Sequence, residues 1–186
     1  MRVTEQAHEA VRAVVEPGET VVDATAGNGH DTLFLARLVG SEGCVLAFDV
    51  QEEALAATRV RLAGHKIGGD TVVLLQESHV ELDKHVTAPV AAVMFNLGYL
   101  PGSDRQCRTT PGETLRALAL AWDVLREGGI LSVVCYRGHA GGAEEAGEVV
   151  RFAEACSSGG ASLTISGRGE SETGPFLVAL RKRPPL

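Results

Sequence analysis

Two rhythms of apolar and polar positions alternate along the 186-residue chain. Between Thr4 and Val15, the residues Ala7, Val11, Val14 and Val15 recur at the spacing of one helix face, with Thr4 as N-cap and Pro17-Gly18 as the stop. Thr20–Ala24 then reads as a strand, Asp31–Val39 as a helix, Cys44–Asp49 as a strand and Gln51–Leu62 as the next helix. Thr71–Gln76 is a third strand. Val90–Asn96 is a fourth, and its near-continuous apolar run fits burial on both faces. Beyond a long Gly98–Gly112 loop come a helix over Glu113–Arg126, closed by Gly128-Gly129, a strand over Ile130–Tyr136 and a helix over Gly142–Cys156. Leu163–Gly167 and Phe176–Arg181 are the last strands, joined by the turn-rich Arg168–Pro175 with no helix between them. Alternation of strand and helix followed by a closing hairpin predicts an α/β fold. The sheet is expected to be seven-stranded and mostly parallel, with an antiparallel last strand and helices on both faces. No repeat, linker or composition shift divides the chain, so residues 1–186 are expected to form one domain.

Bulk properties narrow the function classes. The net charge of −7 argues against an extended basic face for sequence-independent nucleic-acid binding, while leaving room for a local patch. Arg105, Arg108, Arg137 and Arg168 all fall near predicted loops. No apolar stretch approaches the roughly 20 residues of a membrane span, and Met1–Gln6 lacks the apolar run of a signal peptide. Cys44, Cys107, Cys135 and Cys156 are scattered without a paired spacing, as expected for reduced thiols. These features predict a cytoplasmic protein without a membrane partner. The six histidines are dispersed with no ligand spacing, so no metal is expected.

Chemistry concentrates first in Asp23-Ala24-Thr25-Ala26-Gly27-Asn28-Gly29-His30-Asp31-Thr32. Gly27 and Gly29 fall at a strand-to-helix turn, where a missing Cβ lets the backbone approach a ligand. The third glycine of the dinucleotide fingerprint is absent, and no lysine follows as in a phosphate-binding loop. Asp23 precedes the turn and no cationic residue lies between it and Gly29. A ligand with cationic groups and no phosphate chain fits this pattern, and S-adenosylmethionine, with its ammonium and sulfonium, is such a ligand. It would leave S-adenosylhomocysteine as product.

Further candidates fall at the ends of other predicted parallel strands, where open α/β sheets bind ligands. Asp49 lies twenty residues after Gly29 and suits both hydroxyls of a ribose; the alternative is that it caps the helix near Gln51. Ser78 and His79 follow strand three, where an adenine edge would lie; His79 could equally be a surface histidine. Asn96-Leu97-Gly98-Tyr99 begins at the end of strand four. It resembles the Asn/Asp-Pro-Pro-aromatic corner of amino-group methyltransferases, with both prolines replaced. In that corner the Asn oxygen accepts from the target amine and the aromatic ring stacks on the base; the alternative is a capping Asn and a core Tyr. His139 is a candidate proton acceptor, or a plain loop histidine. Asp104, Arg105, Thr109 and Arg137 are candidates for contacts to sugar, phosphate or base, or else parts of solvated loops.

The Asp23–Thr32 run, Phe48–Gln51, Phe95–Gly102 and Tyr136–Gly142 with Glu144-Glu145 together resemble a family of small bacterial methyltransferases. These enzymes act on 5-(aminomethyl)uridine at the tRNA wobble position and were formerly labelled rRNA methylases. The resemblance spans nearly the whole chain. It implies a class I S-adenosylmethionine-dependent (Rossmann-like) fold and methylation of the amine of 5-aminomethyl-(2-thio)uridine in the tRNA anticodon region. It also implies a homodimer. Carried over by motif, Asn28, Asp31 and Thr32 are expected near the methionine end of the cofactor, Asp49 and Gln51 at the ribose, and Ser78 and His79 near the adenine. Asn96, Tyr99 and His139 are expected at the reacting amine. Ala26 departs from a bulkier residue expected in much of the family. The rivals are an rRNA or small-molecule N- or O-methyltransferase with the same cofactor site, and a non-catalytic binding module.

Overall fold

The computed structural model describes residues 1–98, 111–169, 171 and 173–183. The candidates Tyr99, Asp104, Arg105 and Thr109 lie outside the described residues. Its elements are α1 (Val3–Arg12), β1 (Thr20–Asp23), α2 (His30–Val39), β2 (Cys44–Phe48), α3 (Glu52–Gly64), β3 (Val72–Leu75), β4 (Val90–Leu97), α4 (Pro111–Val124), β5 (Leu125–Cys135), α5 (Gly142–Ser158), β6 (Ser162–Ser166) and β7 (Phe176–Arg181). The strands form one seven-stranded sheet in the order β3-β2-β1-β4-β5-β7-β6. β7 runs antiparallel between β5 and β6, and the pairings among the other five strands are parallel.

The alternation of the strands divides the core into two layers. Val93, Phe95 and Leu97 of β4 pack with Leu131, Val133 and Cys135 of β5 against Ala117 and Leu118 of α4 and Val149 and Ala153 of α5. Met94 and Val134 face the other way, among Ala7 and Val11 of α1, Leu35 and Val39 of α2, and Leu55 and Leu62 of α3. Burial on both faces explains why β4 reads as an unbroken apolar run. Because β1 and β4 are adjacent, their ends open a crevice where the strand order reverses. The glycine turn and Asn96 both lie there.

Three local expectations shift. The Gly128-Gly129 pair does not close a helix at Arg126: α4 ends at Val124 and the pair lies inside β5. Gly128 takes a left-handed φ of +73°, and a Cβ on Gly129 would sit 2.8 Å from the Arg126 carbonyl oxygen. The register jumps there from Val90↔Leu125 to Ala92↔Ile130, so the pair makes a bulge. At the N-terminus, Arg2 rather than Thr4 is the N-cap, with its backbone N–H and its Nε both donating to Glu5. Finally, a short 3-10 helix over His79–Lys84, absent from the apolar pattern, packs under α4.

Candidate active site

The site is built outward from Asp23, which ends β1 and is wholly buried. Its Oδ1 accepts from the Thr25 N–H at 3.1 Å, and its Oδ2 accepts from the Thr32 hydroxyl at 2.6 Å. Burial, then the charges of Asp31 and Asp49, raises its pKa to about 7. The chain turns away through Gly27 (φ +51°) and Gly29 (φ +75°). A Cβ on Gly29 would lie 2.8 Å from Thr58 Oγ1 and 2.9 Å from Thr58 Cα, so the loop lies directly against α3. The Thr58 hydroxyl donates to the Gly27 carbonyl at 3.0 Å, and Arg61 Nε donates to the Asn28 carbonyl at 2.6 Å. The turn is thereby clamped from the α3 side.

Asp49, just past β2, accepts from the Gly27 N–H and from the Gln51 N–H, each at 2.9 Å. It thereby braces the entry to α3 and ties the glycine turn to the neighbouring strand end. Asp31, in the first turn of α2, joins two further elements. Its Oδ1 lies 2.6 Å from His8 Nε2, and its Oδ2 accepts from Asn96 Nδ2 at 3.1 Å. The Asn96 backbone N–H donates to Thr25 Oγ1 at 2.8 Å, which ties the end of β4 to the β1 loop. A carboxylate only accepts, so the Asn96 amide NH2 faces Asp31 and its Oδ1 faces the other way. Tyr136 packs on this corner: a Cβ on Gly98 would be 3.2 Å from its ring. Burial and the Asp31 charge push the Tyr136 phenol upward in pKa.

The remaining expected residues divide. His79 is turned inward, its Nδ1–H donating to the Ala24 carbonyl at 3.1 Å and its ring edge-on to Phe95 at 5.5 Å. Burial lowers its pKa, which favours the neutral ring. Ser78 caps the 3-10 helix by accepting from the Val80 N–H. His139 packs against Gly142 before α5, with Nδ1 3.2 Å from the Ala140 carbonyl. Arg137 reaches to the β6–β7 connector. Its guanidinium donates to the carbonyls of Gly174, Arg168 and Ser171 and lies 5.1 Å over the Phe176 ring. It therefore braces the β6–β7 connector with three of its five N–H donors.

The sequence pattern did not point to Thr25, Thr58 or His8. Thr25 lies inside the glycine motif and was within reach of inspection. Thr58 and His8 carry no local signal, because their partners are 31 and 23 residues away.

The donor set suits S-adenosylmethionine. Three carboxylates, Asp23, Asp31 and Asp49, gather around the glycine turn, with Asp23 feeling the charges of the other two, a match for a ligand carrying an ammonium and a sulfonium. Among the described residues, no group of three or more His, Cys, Asp or Glu side chains is arranged to hold a metal.

Strand order, the antiparallel β7, the glycine turn after β1 and the acid after β2 define the fold of the class I S-adenosylmethionine-dependent methyltransferases. The family model described as "Putative rRNA methylase" matches residues 45–180, and the chain belongs to that family. A crystal structure of the same description from Clostridium thermocellum is 39% identical, with a TM-score of 0.92 over 98% of both chains. A Streptococcus mutans methyltransferase solved with S-adenosylhomocysteine is 34% identical, with a TM-score of 0.86 over 98% of both chains. The chloroplastic tRNA (mnm(5)s(2)U34)-methyltransferase of Arabidopsis thaliana is 40% identical over 161 residues, or 81% of this chain. The chain spans 58% of that relative's length.

Proposed function

We propose that the protein transfers a methyl group from S-adenosylmethionine to the primary amine of 5-aminomethyl-(2-thio)uridine at the tRNA wobble position, giving the methylaminomethyl form. The observation that carries this reading is Asn96: its NH2 is held on Asp31, and its Oδ1 is left to accept a hydrogen bond from an amine. The likeness to a relative named for tRNA uridine-34 supports the choice of substrate. The cofactor supplies an electrophilic methyl group on a sulfonium. Asp31, Asp49, Gln51 and the Gly27–Gly29 turn would hold it, with the wholly buried Asp23–Thr32 pair supporting the turn from beneath.

Methyl transfer to nitrogen requires a lone pair aimed at that methyl. A primary alkylamine is mostly protonated in water, so it must shed a proton on binding, and His139 is the proposed acceptor. Asn96 Oδ1, by accepting one amine N–H, fixes the direction of the lone pair. Such positioning supplies most of the rate in a reaction that needs little other group chemistry. Tyr99 is proposed to stack on the base, and Asp104, Arg105 and Thr109 to contact sugar and phosphate. In this reading the chain acts as one methyltransferase domain, as a homodimer in the cytoplasm, and engages the anticodon region.

The test is mass spectrometry of nucleosides from tRNA lacking the methyl group, after incubation with protein and cofactor. Conversion of aminomethyluridine to its methylated form is expected, and Asn96→Ala should bind cofactor yet lose about 100-fold or more in turnover. A folded, cofactor-binding protein that converts none of this nucleoside overturns the substrate assignment.

A further inference from the structure

We propose that His8 is a positioning residue for the methyl transfer: through Asp31 it holds the Asn96 amide in the orientation that turns its oxygen toward the acceptor amine. The inference rests on the reading of Asn96 given above and extends it to a helix that carries none of the motif residues.

The connection is a hydrogen-bonded chain across three elements. His8 Nε2 of α1 lies 2.6 Å from Asp31 Oδ1 of α2, and Asp31 Oδ2 lies 3.1 Å from Asn96 Nδ2 of β4. Carboxylate oxygens accept, so the imidazole must present its Nε2–H and the amide its NH2. The Asn96 main chain is already fixed, because its N–H donates to Thr25 Oγ1 at 2.8 Å. Its remaining freedom is the side-chain torsion, whose two amide orientations differ in which atom meets Asp31. One makes a hydrogen bond; the other sets oxygen against oxygen. The preference is only as firm as the placement of the carboxylate. With Oδ1 held by His8, Asp31 cannot rotate without breaking two bonds.

His8 is itself held in place. Its ring stacks on Phe34 of α2 with centroids 3.9 Å apart and planes 4° from parallel. Ala7 and Val11, on either side of it in α1, are buried in the core. The facing side chains of His8 and Asp31 are 24% and 11% exposed, so water competes weakly for the bond. A solvated surface pair would need none of this. Here the stacked ring delivers a donor to the one carboxylate that also touches the amine-accepting residue.

Two substitutions separate the donor from the packing. His8→Phe keeps a flat ring on Phe34 and removes the N–H; His8→Gln gives up the ring and keeps an N–H at comparable reach. His8→Phe should lower kcat by about 10- to 100-fold, the penalty of a misplaced reacting group, with the cofactor KM changing less than about threefold. His8→Gln should recover most of kcat. In an Asn96→Ala background His8→Phe should cost nothing more, because the two act in series. The side-chain amide resonances of Asn96 report the same coupling without any substrate. They should stay in place in His8→Gln and move toward free-amide positions in His8→Phe. Unmoved resonances together with an unchanged kcat in His8→Phe overturn the proposal, as does equal loss of kcat in both variants. If the unmodified protein methylates no tRNA, the proposed substrate falls, and the Asn96 resonances alone still decide whether His8 sets the amide.

Discussion

Replacing Gly29 with alanine tests how the glycine turn is built. Gly29 adopts φ +75°, where an L-residue costs about 1–2 kcal/mol. The added Cβ would also meet Thr58 Oγ1 at 2.8 Å and Thr58 Cα at 2.9 Å. The second contact is with backbone, so no rotamer change relieves it, and either α3 or the loop must shift. Forcing a shift of that kind costs about 1–3 kcal/mol. The sum is roughly 2–5 kcal/mol. At about 2–4 °C per kcal/mol for a chain of this size, the melting temperature should fall by roughly 4–20 °C. Gly141→Ala is the comparator: φ is +82° there, and nothing lies within 4 Å of a Cβ, so only the conformational cost remains. In urea unfolding, Gly29→Ala should lose at least about 1 kcal/mol more than Gly141→Ala. Adding Thr58→Ser should restore little, because it trims Cγ2 and leaves Cα in place. Equal losses in the two glycine variants would refute the claim that α3 sets the shape of the turn.

Other predictions address charge. Asp23 titrates near 7 when folded against 3.8 ordinarily, so between those values the unfolded chain gives up its proton first and stability falls as pH rises. Urea unfolding across that window should show a shallower slope for Asp23→Asn; parallel slopes would exclude Asp23 as the cause. A cationic cofactor placed beside the three carboxylates would lower the Asp23 pKa, so its binding should release protons near pH 7. Calorimetry in two buffers of different ionisation heat would show this, and identical heats would contradict it. Cys135 is buried, and with Glu145 nearby its pKa is pushed up to about 12, so it should resist alkylation at pH 8 until the protein unfolds. Arg126 holds Glu19 through two bonds and the Val14 carbonyl through a third. Arg126→Ala should therefore cost about 1 kcal/mol, less at high salt, because the pair is part-exposed.

Much of the site could be read from local order. The Asp23–Thr32 run placed a turn between a strand and a helix, Asp49 fell just past β2 because that strand ends with its apolar run, and Asn96 fell one residue before the end of β4. Arg137 shows the limit of that reading. A basic residue beside glycines suggests a phosphate contact, and nothing near it in the chain announces the brace it makes to carbonyls of a connector more than thirty residues away. Gly128-Gly129 shows another. The same pair can end a helix or bulge a strand, and the choice was made by β4 pairing on both sides of it.

The sequence alone determined the strand-helix alternation, the antiparallel closing hairpin and the identity of the carboxylates and glycines near the crevice. All of these follow from periodicity and from residues that act within a few positions of themselves. Only the tertiary structure decided who holds those residues. Asp49 grips the Gly27 N–H, Thr58 and Arg61 clamp the turn from behind, and His8 reaches Asp31 to set Asn96. Each of these contacts joins elements that the chain separates by more than twenty residues. Hydrogen bonding is short-ranged and directional, so such contacts exist only once the sheet has brought its strand ends together.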